Sequence, residues 1–327
     1  MEKLLKLLSN GEFHSGEEIG QFLGISRAGV WKKIKGLKAL GLLLDAVCGK
    51  GYRLSPGIEL LDRDKVYAGI EQKILHQISL HLCLVTNSTN DLIHEVAEKA
   101  SDKKMQFCMA EHQTRGRGRR GRSWVTPFGG SVCVSVLWKM CDGIASLEGL
   151  SLAIGVAVLK ALESCGARGL NLKWPNDVLW EGKKLSGILL EVCGDPVGEC
   201  EVTIGVGVNI RLSDDQFGVI NQPATDLQQV CGMSVSRNYV GSALISAIYR
   251  VLECYKSHGF VFFQEQWNHY DAYFGKRVML GTSSKQIHGR SLGVNERGGL
   301  ILKTENGNMT FNNGEVSLIV GDIGAES

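Results

Sequence analysis

Between positions 115 and 122 the chain reads Arg-Gly-Arg-Gly-Arg-Arg-Gly-Arg, five arginines and three glycines in eight residues. Like charges at that density repel, and each glycine inside a helix costs about 1 kcal/mol relative to alanine. The run therefore fits neither helix nor strand, and the fold has to carry a cationic loop between apolar segments. Glycines let backbone N–H groups close on an anion, and guanidinium forks grip phosphate through paired bonds. Such a loop is expected to be mobile when empty and to order around a polyphosphate, at an entropic cost met on binding. The rival reading is an Arg-Gly nucleic-acid tail, but those tails are long and terminal, whereas this run is short and internal.

At 327 residues the chain is long enough for two or three domains. Its apolar runs are too short to span a bilayer; the longest, Leu150 to Leu162, is interrupted by Lys160. The opening MEKLLKLLSNGEF carries charges inside its apolar run, so it is not read as a signal peptide. Ten cysteines form no CxxC pair and no zinc spacing with the scattered histidines. The expectation is a cytoplasmic protein with free thiols and no membrane contact.

Charge is unevenly spread. Residues 1–57 hold nine Lys and Arg against five Asp and Glu, while the remainder holds 27 against 29. A basic module with an anionic partner is implied. Its pattern is three short helices and a hairpin: Leu4, Leu5, Leu7 and Leu8 form one apolar face before Asn10-Gly11. Ser15 and Glu18 make a capping box for a helix ending at Gly24, and Ser26 caps a third helix with Val30, Ile34 and Leu37 inward. A strand over Leu42–Val47 turns through Gly49-Lys50-Gly51. This is the layout of a winged helix-turn-helix. Ser26, Arg27, Ala28, Trp31, Lys32 and Lys35 would face the major groove, and Lys50 and Arg53 would touch phosphates. The alternative is a solvated basic helix in a protein-binding module. Ser55-Pro56-Gly57 reads as a hinge.

The centre reads as α+β. Strands are expected at Leu82–Thr86, Phe107–Glu111, Ser131–Leu137, Leu172–Trp174, Lys184–Val192 and Glu201–Ile210. Helices are expected at Asp91–Lys99, Ser146–Cys165, Asn238–Lys256 and Phe260–Phe274. No βαβ regularity stands out, residues 211–230 look like a long polar loop, and a turn with Asp195 and Pro196 joins the last two strands. From Gly275 onward, five β-type runs suggest a small β barrel.

Three further segments carry chemistry. In Lys173-Trp174-Pro175-Asn176-Asp177-Val178 the proline ends a strand and a turn presents Asn176 and Asp177. Lys184 then opens the next strand, so a carboxylate, an amide and an ammonium converge. In Gly205-Val206-Gly207-Val208-Asn209, alternating glycines leave one strand face bare, so that a flat ring can lie on backbone, and Asn209 offers a donor and an acceptor. In Asn87-Ser88-Thr89-Asn90-Asp91 the hydroxyls either cap a helix or bind a polar ligand head.

In this order, the winged module, NSTND, GRGRRGRSW, KWPNDV, KKLSGILLE and GVGVNI resemble the biotin protein ligases, specifically the class that doubles as biotin-operon repressor. The resemblance covers essentially the whole chain. It implies a winged helix-turn-helix over 1–57, a central mixed α/β ligase domain of class II synthetase type over 62–274, and a C-terminal SH3-like β barrel over 275–327. It also implies ATP, biotin and Mg²⁺ as substrates and cofactor, a biotin carboxyl carrier protein and operator DNA as partners, and a homodimer formed with biotinyl-adenylate. By the same resemblance Lys184, Arg119 and Asp177 are catalytic, with Asp177 positioning either the incoming lysine or Mg²⁺. Biotin would meet Ser88, Thr89, Asn90, Gln113, Arg117, Gly118, Arg119, Lys184, Gly187 and Gly205. The nucleotide would meet Arg119, Arg120, Arg122, Trp124, Asn176, Lys184, Gly207 and Asn209. Lipoate ligases share the adenylation chemistry but not the Arg-rich loop or the DNA-binding module, and a repressor that only senses biotin is the other alternative. The chain departs from the family pattern at Asn221-Gln222-Pro223-Ala224, where relatives carry a Trp, and at Ile319, where they place an Arg.

Overall fold

The computed structural model describes residues 1–54, 58–100, 104–140, 143–195, 198–282 and 285–319; the expected hinge Ser55-Pro56-Gly57 and the turn residue Pro196 lie outside them. The N-terminal unit contains helices α1 (Glu2–Leu8), α2 (Gly16–Leu23) and α3 (Arg27–Ala39), then the hairpin β1 (Leu44–Val47) and β2 (Gly51–Leu54). Ser15 and Glu18 form the reciprocal capping box, and Ser26 Oγ accepts from Gly29 N at 3.3 Å. The core here is Leu4, Leu5, Leu8, Ile19, Val30, Ile34, Leu37, Leu42 and Leu54. Gly51 cannot be replaced: its φ is +101°, and a Cβ would lie 2.0 Å from the His14 carbonyl oxygen. Phe128 completes this core from the central unit, with Ile58, Leu60, Leu84 and Val85 packed beside it.

The central unit runs α4 (Arg63–Ala68), α5 (Gln72–Leu75), β3 (Ile78–Thr86), α6 (Thr89–Lys99), β4 (Met105–Gln113), β5 (Ser131–Met140), α7 (Leu150–Ser164), β6 (Leu170–Lys173), β7 (Asp177–Trp180), β8 (Lys183–Gly194) and β9 (Cys200–Asn209). Then come α8 (Asp214–Gly218), α9 (Leu227–Cys231), α10 (Arg237–His258) and α11 (Val261–Tyr270). Seven strands pair in the order β3-β4-β5-β9-β8-β7-β6, with only β3·β4 parallel. Helix α7 is apolar nearly all round and buries most of its side chains against the sheet and α10, which makes it the hub of the core. No described helix is long and apolar enough to cross a membrane.

Several expectations are corrected. The sheet is α+β as expected and adds a single βαβ crossover, with α6 linking the parallel pair β3 and β4. The long helix begins at Leu150 rather than Ser146, because Gly149 adopts φ +77° ahead of it. Residues 211–230 are not a continuous loop; Ser213 and Asp226 cap the short helices α8 and α9. Asp177 is the first residue of β7 rather than part of a free turn.

The C-terminal unit is β10 (Arg277–Gly281), β11 (Gln286–Val294), β12 (Leu300–Thr304), β13 (Gly307–Phe311) and β14 (Glu315–Leu318), an antiparallel sheet in the order β13-β12-β11-β10-β14. The five predicted runs are its five strands. Closure into a barrel is not among the strand pairings of the described residues. Trp174 Nε1 donates to Gly298 O at 3.0 Å and ties this sheet to the end of β6.

Asp271 follows α11 at the same junction. Burial pushes its carboxyl up to about 6 from an ordinary 3.8, against opposing pulls from Tyr273 N, Lys276 and Ser291. Between these two values the native chain holds a proton that the unfolded chain releases, so the group's contribution to stability falls as pH rises from about 4 to about 6. Asp271→Asn is expected to raise stability at pH 7 by at most about 3 kcal/mol and to do almost nothing at about pH 3. Melting curves at both pH values test this, and an equal shift at both would count against it.

Candidate active site

The two-residue period of the strands sorts side chains cleanly. In β9, Ile204, Val206 and Val208 enter the main core while Gly205 and Gly207 face the other way; in β5, Val132, Val134 and Val136 oppose Cys133 and Ser135. Pairing sets Gly207 between Cys133 and Gly187, and Gly205 between Ser135 and Leu189. The result is a floor almost without side chains. It lies on the α6 side of the sheet and forms the base of a cleft that the start of α6, the cationic loop and Lys184 also line.

A flat ring does lie on this floor, and it is Trp124: a Cβ on Gly207 would sit 2.5 Å from the indole, and one on Gly187 3.2 Å. Asn90 covers Gly205, where a Cβ would meet Asn90 Oδ1 at 2.3 Å. The glycines are therefore demanded by close approach rather than by turns. One wall is the start of α6. Ser88 caps it by accepting from Asn90 N, and the same helix end lines the cleft. Gln113 Oε1 accepts from Thr89 N at 2.7 Å and Thr89 Oγ1 at 3.0 Å, and Ser135 Oγ donates to Asn90 Oδ1 at 2.6 Å.

The roof is the cationic loop. Gly118 N donates to Arg122 O at 2.7 Å, and a bridge between Arg117 and Ser123 closes it like a small hairpin around a 3-10 turn at Arg119–Gly121. Arg120 at the apex takes φ +57°, a conformation strained for any residue but glycine. Arg119 turns inward, its Nη1 3.5 Å from Asn176 Oδ1, and burial pulls its guanidinium below its ordinary value. Burial does the same to Lys173 nearby.

Opposite the loop, Lys184 Nζ lies 2.7 Å from Asp177 Oδ1, both side chains being largely buried. The Asp177 carboxylate is thus paired with the ammonium in the cleft that both residues line. The Lys184 backbone is fixed on both sides: its N donates to Pro223 O at 2.9 Å, and its O accepts from Thr225 N at 3.0 Å. The segment at Asn221–Ala224 that departs from the family pattern is thus pinned beside the lysine, and Gln222 lines the cleft. The ammonium also stands 5.6 Å from the Trp124 ring centroid.

The profile of the biotin/lipoate A/B protein ligase family matches residues 82–209, that of an HTH domain residues 1–53, and that of the biotin protein ligase C-terminal domain residues 273–319. Over 317 residues the chain is 35% identical to the bifunctional ligase/repressor BirA of Escherichia coli, covering 97% of this chain and 96% of that one. The chain belongs to the biotin/lipoate A/B protein ligase family. It is also 31% identical to the bifunctional ligase/repressor BirA of Bacillus subtilis, with 93% and 94% of the two chains covered. The biotin protein ligase of Aquifex aeolicus, solved in complex with biotin and ATP, superposes with a TM-score of 0.62 at 29% identity, covering 74% of this chain and 98% of that one.

In this ligase-family chain the cleft brings together Ser88, Thr89, Asn90, Gln113, Arg117, Gly118, Arg119, Arg122, Trp124, Asn176, Asp177, Lys184, Gly187, Gly205 and Gly207. Two predicted residues stand apart. Arg120 lines an adjoining cleft with Arg122 and Lys173, and the buried Asn209 gives its amide to Thr225 O at 3.0 Å. Sequence reasoning missed Cys133, Gln222 and Glu315. Glu315 comes from the C-terminal sheet and ion-pairs with Arg122 and, at 3.9 Å, with Arg120. No local motif marked it; only the tertiary docking of the two units brings it here.

On the N-terminal unit of this ligase-family chain, Ser26, Arg27, Ala28, Trp31, Lys32, Lys35 and Lys50 are all exposed. Trp31 is 60% exposed, with Lys35 Nζ 5.4 Å from its ring centroid. Arg53 is engaged instead, held by Asp45 at 2.6 Å and stacked 4.5 Å over Phe13.

Proposed function

We propose that this chain is a biotin–protein ligase and operator-binding repressor. It joins biotin to ATP as biotinyl-5′-adenylate and passes the biotinyl group to a lysine of the biotin carboxyl carrier protein. The observation that carries the reading is the meeting of Lys184, Arg119 and Asp177 over a glycine floor, under one cationic loop. In the first step a biotin carboxylate oxygen bonds to the α-phosphorus of ATP and the bond to pyrophosphate breaks. Lys184 and Arg119 supply fixed positive charge where the phosphorus centre gains negative charge, at no reorganisation cost. In the second step the carrier amine attacks the acyl carbon, AMP leaves, and the amine's proton is shed.

Ser88, Thr89, Asn90, Gln113, Arg117, Gly118, Gly187 and Gly205 would receive the biotin head. Arg120, Arg122, Trp124, Asn176, Gly207 and, at the end of β9, Asn209 belong to the nucleotide side. Among the described residues no group of three or more His, Cys, Asp or Glu gathers as a metal site. Asp177, a carboxylate that lines the cleft, would face Mg²⁺ held mainly by nucleotide phosphates or help position the incoming lysine. When bound, that ion would add charge neutralisation to the phosphates.

The reading extends to three units, 1–57, 62–274 and 275–327, acting in the cytoplasm. Its repressor half has two winged modules meet a palindromic operator once adenylate completes a dimer surface. ATP–pyrophosphate exchange with Mg²⁺ and biotin, lipoate or no acid tests the ligase half. Biotin-dependent exchange is the expected result, and exchange with none of them overturns it. Footprinting on the biotin operator tests the other half, which fails if protection is indifferent to biotin and ATP.

A further inference from the structure

The five arginines of the roof loop are not equivalent, and Arg117 is the exception. Its Nη1 and Nη2 donate to Asp91 Oδ2 and Oδ1 at 2.9 and 2.8 Å, and its Nε and Nη2 to Glu191 Oε1 and Oε2 at 3.2 and 3.1 Å. A guanidinium has five N–H donors, and two carboxylate forks leave it almost none for a phosphate. The hydrogen bonds from Asp91, then those from Glu191, hold this group above the ordinary arginine value. Arg119 by contrast makes one long contact, to Asn176.

The two carboxylates belong to different walls. Asp91 is in the first turn of α6 and Glu191 is on β8, so Arg117 spans the gap between them and carries the loop with it. Glu191 Oε2 also accepts from Asn90 Nδ2 at 2.6 Å, and Asn90 covers the Gly205 floor. The anchor of the loop and the lining of the cleft therefore share one hydrogen-bonded network.

We propose that Arg117 is the latch of the Arg/Gly loop and that Asp91 is a positioning residue for the adenylate-forming reaction, holding the loop down by an ion pair to α6 rather than touching the reactants. This deepens the ligase reading and rests on it for its kinetic consequences. A latch of this kind sets how long ligand stays, not how fast the chemistry runs. In the full-length chain, Asp91→Asn is expected to raise the biotin KM and the escape rate of preformed biotinyl-adenylate about fivefold, the effect of losing a partly exposed ion pair of about 1 kcal/mol. The kcat should stay within twofold.

Asp91 also suits the positive end of α6, so a purely structural role has to be separated. In an Arg117→Gln background the same substitution should add nothing if Asp91 acts through Arg117; an undiminished effect there overturns the proposal. Trypsin supplies a readout independent of turnover, because the loop is a run of arginines: Asp91→Asn should speed cleavage at residues 115–122 about fivefold. Unchanged cleavage overturns the latch whether or not the wild type is active. Absence of biotin-dependent exchange in the wild type, with accelerated cleavage in the variant, would remove the ligase reading and leave the latch standing.

Discussion

Lys184→Ala is expected to lower biotin-dependent ATP–pyrophosphate exchange by a hundred- to a thousandfold while the chain stays folded. The size follows from what the side chain offers. It is one preorganised cationic donor in a largely water-excluded site, and removing one such donor typically costs about two to three powers of ten. Its position is unusually determined: the backbone is bonded on both sides to the 223–225 segment, and the ammonium sits between Asp177 and the face of Trp124. No other lysine among the cleft-lining residues can take its place. Truncation also leaves the Asp177 carboxylate without its counter-ion, so some stability is lost, on the order of 1–3 kcal/mol. Melting and circular dichroism separate that loss from the catalytic one. Lys184→Gln, which keeps a polar partner for Asp177, should recover stability but not exchange. A Lys184→Ala protein with near-normal exchange would take this residue out of the mechanism.

Most of this site is written locally in the sequence, and the reason is geometric. Alternating glycines in β9 can only bare one face of the strand, so the floor was readable from GVGVNI alone. The Ser15–Glu18 capping box, the Ser26 cap and the inward face of α3 are likewise short-range signals, and they appear where the spacing put them. What escaped was what depends on tertiary docking. Glu315 reaches the cleft because the C-terminal sheet docks on the central unit, through Trp174 to Gly298 O and through Gln264 and Asn268 to Val294. The role of Arg117 was hidden for the same reason. As a sequence position it is one of five arginines, and only the fold sets Asp91 and Glu191 on either side of it. Trp124 lines the cleft, but only the fold shows that the chain lays this residue on its own glycine floor, where any ring that binds must share the space with it. The short helices at 214–218 and 227–231 do not show in the sequence because five residues carry too little periodicity to register, and their caps, Ser213 and Asp226, emerge only in the structure.

Arg237→Ala carries the largest expected effect on stability, about 3–5 kcal/mol, or a fall in melting temperature on the order of 10 °C. Arg237 and Glu111 meet at 2.6 Å with side chains only 4% and 3% exposed. A buried pair of this kind is weak evidence for net stabilisation, because desolvation offsets the attraction, but breaking it strands a charge. Here the stranded Glu111 would also lose its part in a larger assembly. Arg237 donates to Ser131 O at 3.1 and 2.9 Å and to Glu59 O at 2.8 Å, while Glu111 accepts from Leu61 N. Asn238 next door accepts from Asp62 N and donates to Leu60 O, each within 2.9 Å. The pair thus fastens residues 59–62, the stretch through which the winged module joins the catalytic unit, and Ile58 and Leu60 in turn pack on that module's core. Loosening it should disturb the placement of the DNA-binding helix more than the cleft, which is built on β5, β8 and β9. At a temperature where the variant is still folded, operator affinity should fall several-fold while biotin-dependent exchange changes by less than twofold. Equal losses in both would mean that the ion pair supports the catalytic unit as a whole and has no special bearing on the module it anchors.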